Sequence, residues 1–461
     1  MKYSSEMDIL FFGRGPYSSF LSLLNVDGVN QKYITYNQEE RSYVNSNGGE
    51  VVGCFEEAYD ELSGVQLPAN YLRKGLSMDR FHGWMSLRER RELLARQIEF
   101  VRTVLHSEDV DALIHETISW DFEEVLSIEA RKAGVKDVTF LPSIFENRFF
   151  LKPNPYNSSF PREVLRSTNP SEEAHKQAEN FVEDVLDAGL YPDYAQPDQN
   201  YDSVDYIEKI GYAIKLLKES VVGEKGYKHE VDSNVSYFYP SYFKSRTFVS
   251  YFADKMSKKV NSFDTWFDVK KHDYVFYPLH VEPEAAIDYF SPFYDDQVCV
   301  IRSILKYLPN DQYLVVKGHP NQPGHLLRQE FDRLRKNNSN LVFLSSSFPS
   351  EVVIKNARSV ITISGSVGVE SLIFQKPVCV LGDVFYDKHE HAVNAKSERE
   401  IREFLRGEPK GGENIESVVK YIAKIYSQTF EGSVDSTDTN KKNISLVSDA
   451  IHDHLKTERK R

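Results

Sequence analysis

The 461-residue sequence predicts an α/β protein of two Rossmann-like domains facing a cleft, with a helical insertion between them and a C-terminal helix. Three observations lead there. Short apolar runs alternate with helical patterns in both halves, the sign of parallel sheets built from strand–helix–strand units. Between the halves, residues from about 153 to 235 replace that alternation with acidic helical stretches punctuated by proline. The chain is also too long for one ordinary core, so two domains are the default.

The first domain, 1–152, opens with a strand at Asp8–Phe12 that runs into Gly13-Arg14-Gly15-Pro16. A strand emptying into glycines begins many nucleotide-binding domains, but this spacing is not the dinucleotide fingerprint. Further strands are expected at Lys32–Tyr36, Glu50–Cys54, Asp111–His115 and Asp137–Phe140, with a long charged helix at Leu87–Leu105. Residues 153–265 read as a helical insertion and connector, broken at Asn154-Pro155, Asn169-Pro170, Tyr191-Pro192 and Gln196-Pro197. The second domain, 266–410, restores the alternation. Its strands are expected at Tyr274–Leu279, Gln312–Val316, Leu341–Leu344, Ser359–Ile363 and Val378–Leu381. Helices separate them: one with Val298, Ile301, Leu305 and Leu308 at helical spacing, then Leu326–Leu334, one opened by Pro349, and Val367–Phe374. Residues 411–461 supply a last helix, Ile415–Tyr426, and a polar tail.

Composition narrows the function. A formal charge of −13 excludes a general nucleic-acid binder, which needs a basic footprint. Three cysteines, Cys54, Cys299 and Cys379, are too scattered for a disulfide framework or a zinc cluster, and Cys299 and Cys379 read as buried thiols. The start MKYSSEMD has no apolar signal core, and no apolar run is long enough to span a bilayer, so a cytoplasmic protein is expected. The aromatic-basic stretch Tyr242–Lys259 reads either as a membrane-surface segment or as a core-facing helix.

The candidate chemistry sits at strand ends, where ligands bind in open α/β sheets. The strand YLVV empties into Lys317-Gly318-His319-Pro320, two cationic side chains able to meet a phosphate. The bland alternative is a surface lysine and a loop histidine with a local hydrogen bond. Some forty residues later a strand empties into Ser364-Gly365-Ser366-Val367-Gly368, followed by Glu370 one turn into a helix. The serines fit a helix cap, but two glycines and two serines in five residues exceed what a cap needs and suit a phosphate or ribose. Glu370 is placed either to complement the helix dipole or to reach sugar hydroxyls. At the first strand end of this domain His280, Glu282 and Glu284 crowd one loop, which reads equally as acid/base machinery or as a polar hinge. In the first domain His115, Glu116 and Asp121 follow a strand and are candidates for base or nucleophile, with helix capping as the alternative. No metal-ligand cluster is visible.

Taken together, PLHVEPEAAID, VKGHPNQPG and ITISGSVGVESLIFQKPVCVLGDVFYD resemble the capsule polysaccharide biosynthesis proteins related to bacterial Kdo transferases. The resemblance spans about 274 to 387, and more loosely Asp111 to Leu151. It implies a GT-B glycosyltransferase with a CMP-activated acidic sugar such as Kdo as donor, a glycan or glycolipid as acceptor, and no cofactor. The expected cytoplasmic location leaves open peripheral docking at the cytoplasmic face of the inner membrane. His319 and Pro320 take the place of the HP motif that bacterial sialyltransferases share, where it contacts the CMP phosphate. Ser364 and Ser366 take the place of the paired hydroxyl residues, Glu370 that of the helix acid, and Glu284 falls in the PE motif. His280 stands where that group often has glutamine. A UDP-sugar 2-epimerase of the non-hydrolysing kind shares the HPN element and the Ser-Gly helix start, but its GTRPE-like first loop is not matched by GRGPYSS. A glycerophosphotransferase would need a DYSS signature where this chain has ISGSVGVE. A catalytically inactive binding subunit of a polysaccharide assembly complex is the remaining alternative.

Overall fold

The computed structural model describes residues 7–72, 85–189, 266–282, 284–291, 293–320, 329–407 and 414–458. In chain order the first half comprises β1 (Met7–Phe12), α1 (Pro16–Ser22), β2 (Val29–Thr35), α2 (Gln38–Ser46), β3 (Glu50–Cys54) and the short α3 (Phe55–Ala58). It continues with α4 (Leu87–Glu108), β4 (Ala112–Glu116), α5 (Asp121–Lys132), β5 (Lys136–Pro142) and β6 (Arg148–Lys152). Two helices of the insertion follow, α6 (Arg162–Ser167) and α7 (Glu172–Ala188). The aromatic-basic stretch Tyr242–Lys259 lies outside the described residues.

The second half comprises β7 (Tyr274–Pro278), α8 (Ala285–Asp288), α9 (Gln297–Tyr307), β8 (Tyr313–Lys317), α10 (Gln329–Asn337), β9 (Leu341–Leu344) and α11 (Ser350–Asn356). Then come β10 (Ser359–Thr362), α12 (Val367–Ile373), β11 (Val378–Val380), β12 (Ala392–Asn394), α13 (Glu398–Arg406), α14 (Ile415–Tyr426), β13 (Phe430–Glu431) and α15 (Lys441–Glu458).

Two open α/β sheets result, one for each half of the fold. The first has the order β13-β6-β5-β4-β1-β2-β3, parallel from β5 to β3 and antiparallel at β6 and β13. The second, β12-β11-β10-β7-β8-β9, is parallel throughout. Its central strands read as unbroken apolar runs because helices cover both faces: Val275, Phe276, Leu314, Val315, Val316, Val360 and Ile361 are all buried. In each sheet the chain winds outward in one direction, returns, and winds the other way. The reversals fall between β1 and β4 and between β7 and β10, and such switch points are where open sheets leave a crevice at their carboxyl ends.

Local sequence chemistry fixes the helix starts. Asn37 and Glu40 form a reciprocal capping box on α2, as Ser86 and Glu89 do on α4. Asp296 caps α9 by accepting the Cys299 N–H at 3.0 Å. That placement leaves Cys299 exposed beside Asp296, contrary to the buried thiol expected from its apolar neighbours, while Cys379 in β11 is buried.

The polar tail expected after Tyr426 is instead structured. β13 pairs with β6, and α15 lays Val447, Ala450, Ile451 and Leu455 against Ile9, Phe11 and Phe20 of the first domain. The two halves are further tied by the loop after β6. There Ser159 Oγ donates to Asp387 at 2.8 Å, the Ser158 N–H donates to the Asp383 carbonyl at 3.3 Å, and Lys152 donates to the Ser159 carbonyl.

Candidate functional site

The second sheet presents its candidate residues around its switch point. β7 is flanked by β10 on one side and β8 on the other, so the loop carrying His280 lies between the loop of Lys317 and His319 and the loop of Ser364 and Ser366. His280 is buried, and its ring bridges the crevice. Nε2 lies 3.3 Å from Thr362 Oγ1 and accepts the Ser364 N–H at 3.4 Å. Gln297, itself fully buried in the first turn of α9, clamps the backbone of His280. Its Oε1 accepts the His280 N–H at 2.7 Å and its Nε2 donates to the His280 carbonyl at 3.1 Å. Burial, helped by the nearby His319, pushes the His280 imidazole down to about 3, against a smaller opposing pull from Glu282.

Lys317 is the last residue of β8 and only 4% exposed. Among the described residues its Nζ makes no hydrogen bond or ion pair, and burial lowers its pKa to about 8 against weaker opposing fields from Glu370 and Glu351. A buried ammonium held only at a distance from its counter-charges is an anion-seeking group. His319, two residues on, is half-buried, and Pro320 is exposed.

The Ser364–Gly368 turn is more tightly built than its composition implies. Ser364 Oγ donates to the Ala286 carbonyl at 3.0 Å, so its proton is committed to the protein, while Ser366 stands half-buried at the start of α12. A Cβ on Gly365 would lie 3.1 Å from His280 Cε1, and one on Gly368 would overlap the Tyr386 hydroxyl and ring edge. Tyr386 in turn donates its hydroxyl to the Gly365 carbonyl at 2.5 Å. Both glycines therefore meet a packing requirement that the sequence did not reveal. Glu370 is buried in the first turn of α12, within electrostatic reach of Lys317.

The acids after β7 separate. Glu282 turns toward α9 and accepts from Gln297 Nε2 at 2.9 Å, whereas Glu284 is the half-buried residue that opens α8.

In the first domain the three candidates also part company. Successive residues of a strand face opposite sides of a sheet, and His115 and Glu116 end β4. His115 is fully buried against α5, with Nε2 2.7 Å from Asp137, which also accepts from Ser127 and Arg131. It belongs to the packing of α5 on the sheet, a correction to its expected place at a cleft-facing end. Asp121 is likewise buried at the start of α5.

Glu116 remains half-buried at the switch point and enters a charge cluster that the sequence reading missed. The Arg14 N–H donates to Glu116 at 3.0 Å, and the Gly15 N–H donates to the buried Glu40 at 2.8 Å. Arg14 also donates to Ser119 at 2.7 Å, and Ser119 Oγ donates to the buried Glu123 at 2.9 Å. The backbone amides of the glycine turn, which in a dinucleotide-binding domain face a phosphate, are here taken by the protein's own carboxylates. Burial raises both Glu40 and Glu116 to about 7. Arg14 opposes the rise in each case, and Glu123 adds to it at Glu116. The one hint in the sequence was the GRGP turn itself; nothing local marks Glu40 or Glu123 as its partners.

A family model described as capsule polysaccharide biosynthesis protein matches residues 224–390, which hold every strand end discussed for the second sheet. Over that stretch the chain is similar to the capsule polysaccharide biosynthesis family. The capsule polysaccharide export protein KpsS of Escherichia coli is 33% identical over 91 residues, 19% of this chain and 23% of that protein. Protein FixF of Sinorhizobium fredii is 28% identical over 117 residues, 25% of this chain and 27% of FixF. The matched region thus spans about a quarter of each of these relatives. Among solved structures, the Thermosulfurimonas dismutans KpsC beta Kdo 2,7 transferase aligns at 13% identity with a TM-score of 0.41, covering 92% of this chain and 100% of that one. The UDP-GlcNAc 2-epimerase of Methanocaldococcus jannaschii aligns at 14% identity with a TM-score of 0.27, covering 91% and 99%. Among the described residues no helix is long and apolar enough to cross a membrane.

Proposed function

We propose that the protein is a glycosyltransferase of surface polysaccharide biosynthesis. It transfers a sugar, Kdo or another acidic sugar, from a CMP-activated donor to a glycan or glycolipid acceptor at the cytoplasmic face of the inner membrane. The observation that carries this reading is Lys317, a buried ammonium at the end of β8, the strand next to the β7–β10 switch point, with no ion-pair partner among the described residues. Its charge becomes favourable when an anion arrives. The CMP phosphate is that anion, held by Lys317, His319 and the Ser366 end of the α12 turn, with Pro320 shaping the loop and Glu370 near the ribose. As the bond between the sugar and the phosphate breaks, the leaving phosphate keeps the electron pair, and the same cationic groups stabilise it.

The acceptor side falls to the first domain. Glu116, held near neutral at the β1–β4 switch point, is suited to take a proton from an attacking hydroxyl or to serve as nucleophile. Glu284, half-buried at the start of α8, is the candidate acid from the second domain. The test is nucleotide selectivity. CMP should raise the melting temperature more than UMP, GMP or AMP, because a ligand stabilises in proportion to its binding to the native state. A response to UDP with none to CMP would shift the assignment to a UDP-sugar enzyme.

A further inference from the structure

We propose that His280 is a positioning residue of the phosphate site: a neutral imidazole whose Nε2 lone pair holds the end of β10 against the end of β7 across the switch point. The inference rests on the nucleotide-site reading above and adds to it a defined tautomer and a defined mechanical role.

The Ser364 N–H can only donate, so the ring nitrogen 3.4 Å away must present a lone pair. That nitrogen is Nε2, which also lies 3.3 Å from Thr362 Oγ1. A neutral ring with an Nε2 lone pair carries its proton on Nδ1, because an imidazolium has no acceptor at all. The surroundings enforce the same state. The ring is enclosed: a Cβ added at Gly365 would meet Cε1 at 3.1 Å, and Gln297 fixes the backbone of His280 through both of its amide atoms. The charged groups that act on the ring are His319, from the β8 loop, and Glu282, from its own loop. Glu282 is itself bound by Gln297, and a cationic His319 opposes a second positive charge.

What His280 holds is the backbone from Thr362 to Ser364, and this backbone places the Ser366 turn beside Lys317 and His319. Without an acceptor at this point the Ser364 amide loses its partner inside the crevice, and β10 loses its tie to β7 at the level of the ligand. The function required is a hydrogen-bond acceptor of limited size. A glutamine carbonyl can supply it, and a leucine cannot.

Two measurements test this on the full-length protein. The first is the two-bond nitrogen–proton spectrum of the histidine rings, with the His280 signals assigned by their loss in His280→Gln. The expected pattern is that of a neutral Nδ1–H ring, unchanged from about pH 5 to about pH 8, where an ordinary histidine titrates. An Nε2–H pattern, or titration within that range, overturns the proposal. The second is CMP affinity by calorimetry for His280→Gln and His280→Leu. Glutamine should keep affinity within about threefold of wild type, and leucine should lose about tenfold or more, the size of one lost hydrogen bond at an enclosed site. Equal losses in the two variants, or none in leucine, would show that the acceptor does not matter. If the wild-type protein binds no CMP, the nucleotide reading fails on its own, and the ring spectrum still decides the state of His280. If His280→Leu does not fold, the glutamine variant and the ring spectrum carry the decision.

Discussion

Replacing Lys317 with methionine should make the empty protein more stable and a poorer binder of CMP. The side chain is 4% exposed at the end of β8, and burial lowers its pKa from 10.5 to about 8. A tenfold loss of proton affinity corresponds to about 1.4 kcal/mol, so holding the ammonium at neutral pH costs the folded state about 3 kcal/mol. Methionine has nearly the same length and no charge, and it fits an apolar strand end. Allowing for imperfect packing, the variant should gain about 1–3 kcal/mol, a rise of several degrees in the transition of the second domain. The pH dependence has the same origin. Between pH 8 and 10.5 the unfolded chain holds the lysine proton more tightly than the folded one, so wild-type stability rises with pH across that window. The variant should lack that rise. Binding moves the opposite way, since a hydrogen bond to a charged group is worth about 1.5–3 kcal/mol and its loss should weaken CMP by one to two decades. Calorimetric unfolding of the empty protein and titration with CMP measure the two sides. A variant that melts no higher than wild type and binds CMP within threefold of it would refute the reasoning.

Three other perturbations probe neighbouring claims. His319→Ala should lower CMP affinity by one to two decades and leave cytidine affinity nearly unchanged, since cytidine lacks the phosphate; equal losses would mean that the ring only shapes its loop. Glu116→Gln should nearly abolish transfer while flattening a stability trend. The folded state keeps the Glu116 proton up to about pH 7, whereas the unfolded chain releases it near the usual 4.5, so wild-type stability falls as pH rises through that interval and the variant should fall less. Gly368→Ala drives a methyl group into the Tyr386 ring and should cost about 1–3 kcal/mol by thermal melting; an unchanged melting temperature would show that Tyr386 moves aside freely.

The second sheet was legible because its strands are continuous apolar runs ended by glycine, proline or serine, and Leu341–Leu344 falls where the spacing places it. β6 and β12 escaped notice. β12 has only three residues, and Arg148–Lys152 pairs antiparallel with β5 through a turn rather than a crossover and with β13 from far along the chain. α15 looked like a solvated tail because its apolar residues are spread among lysines, serines and aspartates, and only the first domain gives them a surface to bury. At the site, residue types and strand ends could be read, but directions could not. Sequence places His115 and Glu116 side by side; the pleat sends them to opposite faces. The partners of a buried group are equally hidden, since Gln297 reaches His280 from another element and Glu40 reaches Gly15 from the start of α2. Glycine carries a similar ambiguity, for Gly368 meets the ring of Tyr386 rather than announcing a ligand.

The return of β13 and α15 to the first sheet bears on how the chain is made. Ile9, Phe11 and Phe20 are synthesised long before Val447, Ala450, Ile451 and Leu455, which cover them and lie far along the sequence. Synthesis at about 5–20 residues per second leaves that apolar face without its cover for tens of seconds. The second domain, whose sheet is contiguous in sequence, can close during that interval. The first cannot finish until Val447 to Leu455 have been made, so it matures after the second and depends more on protection while it waits.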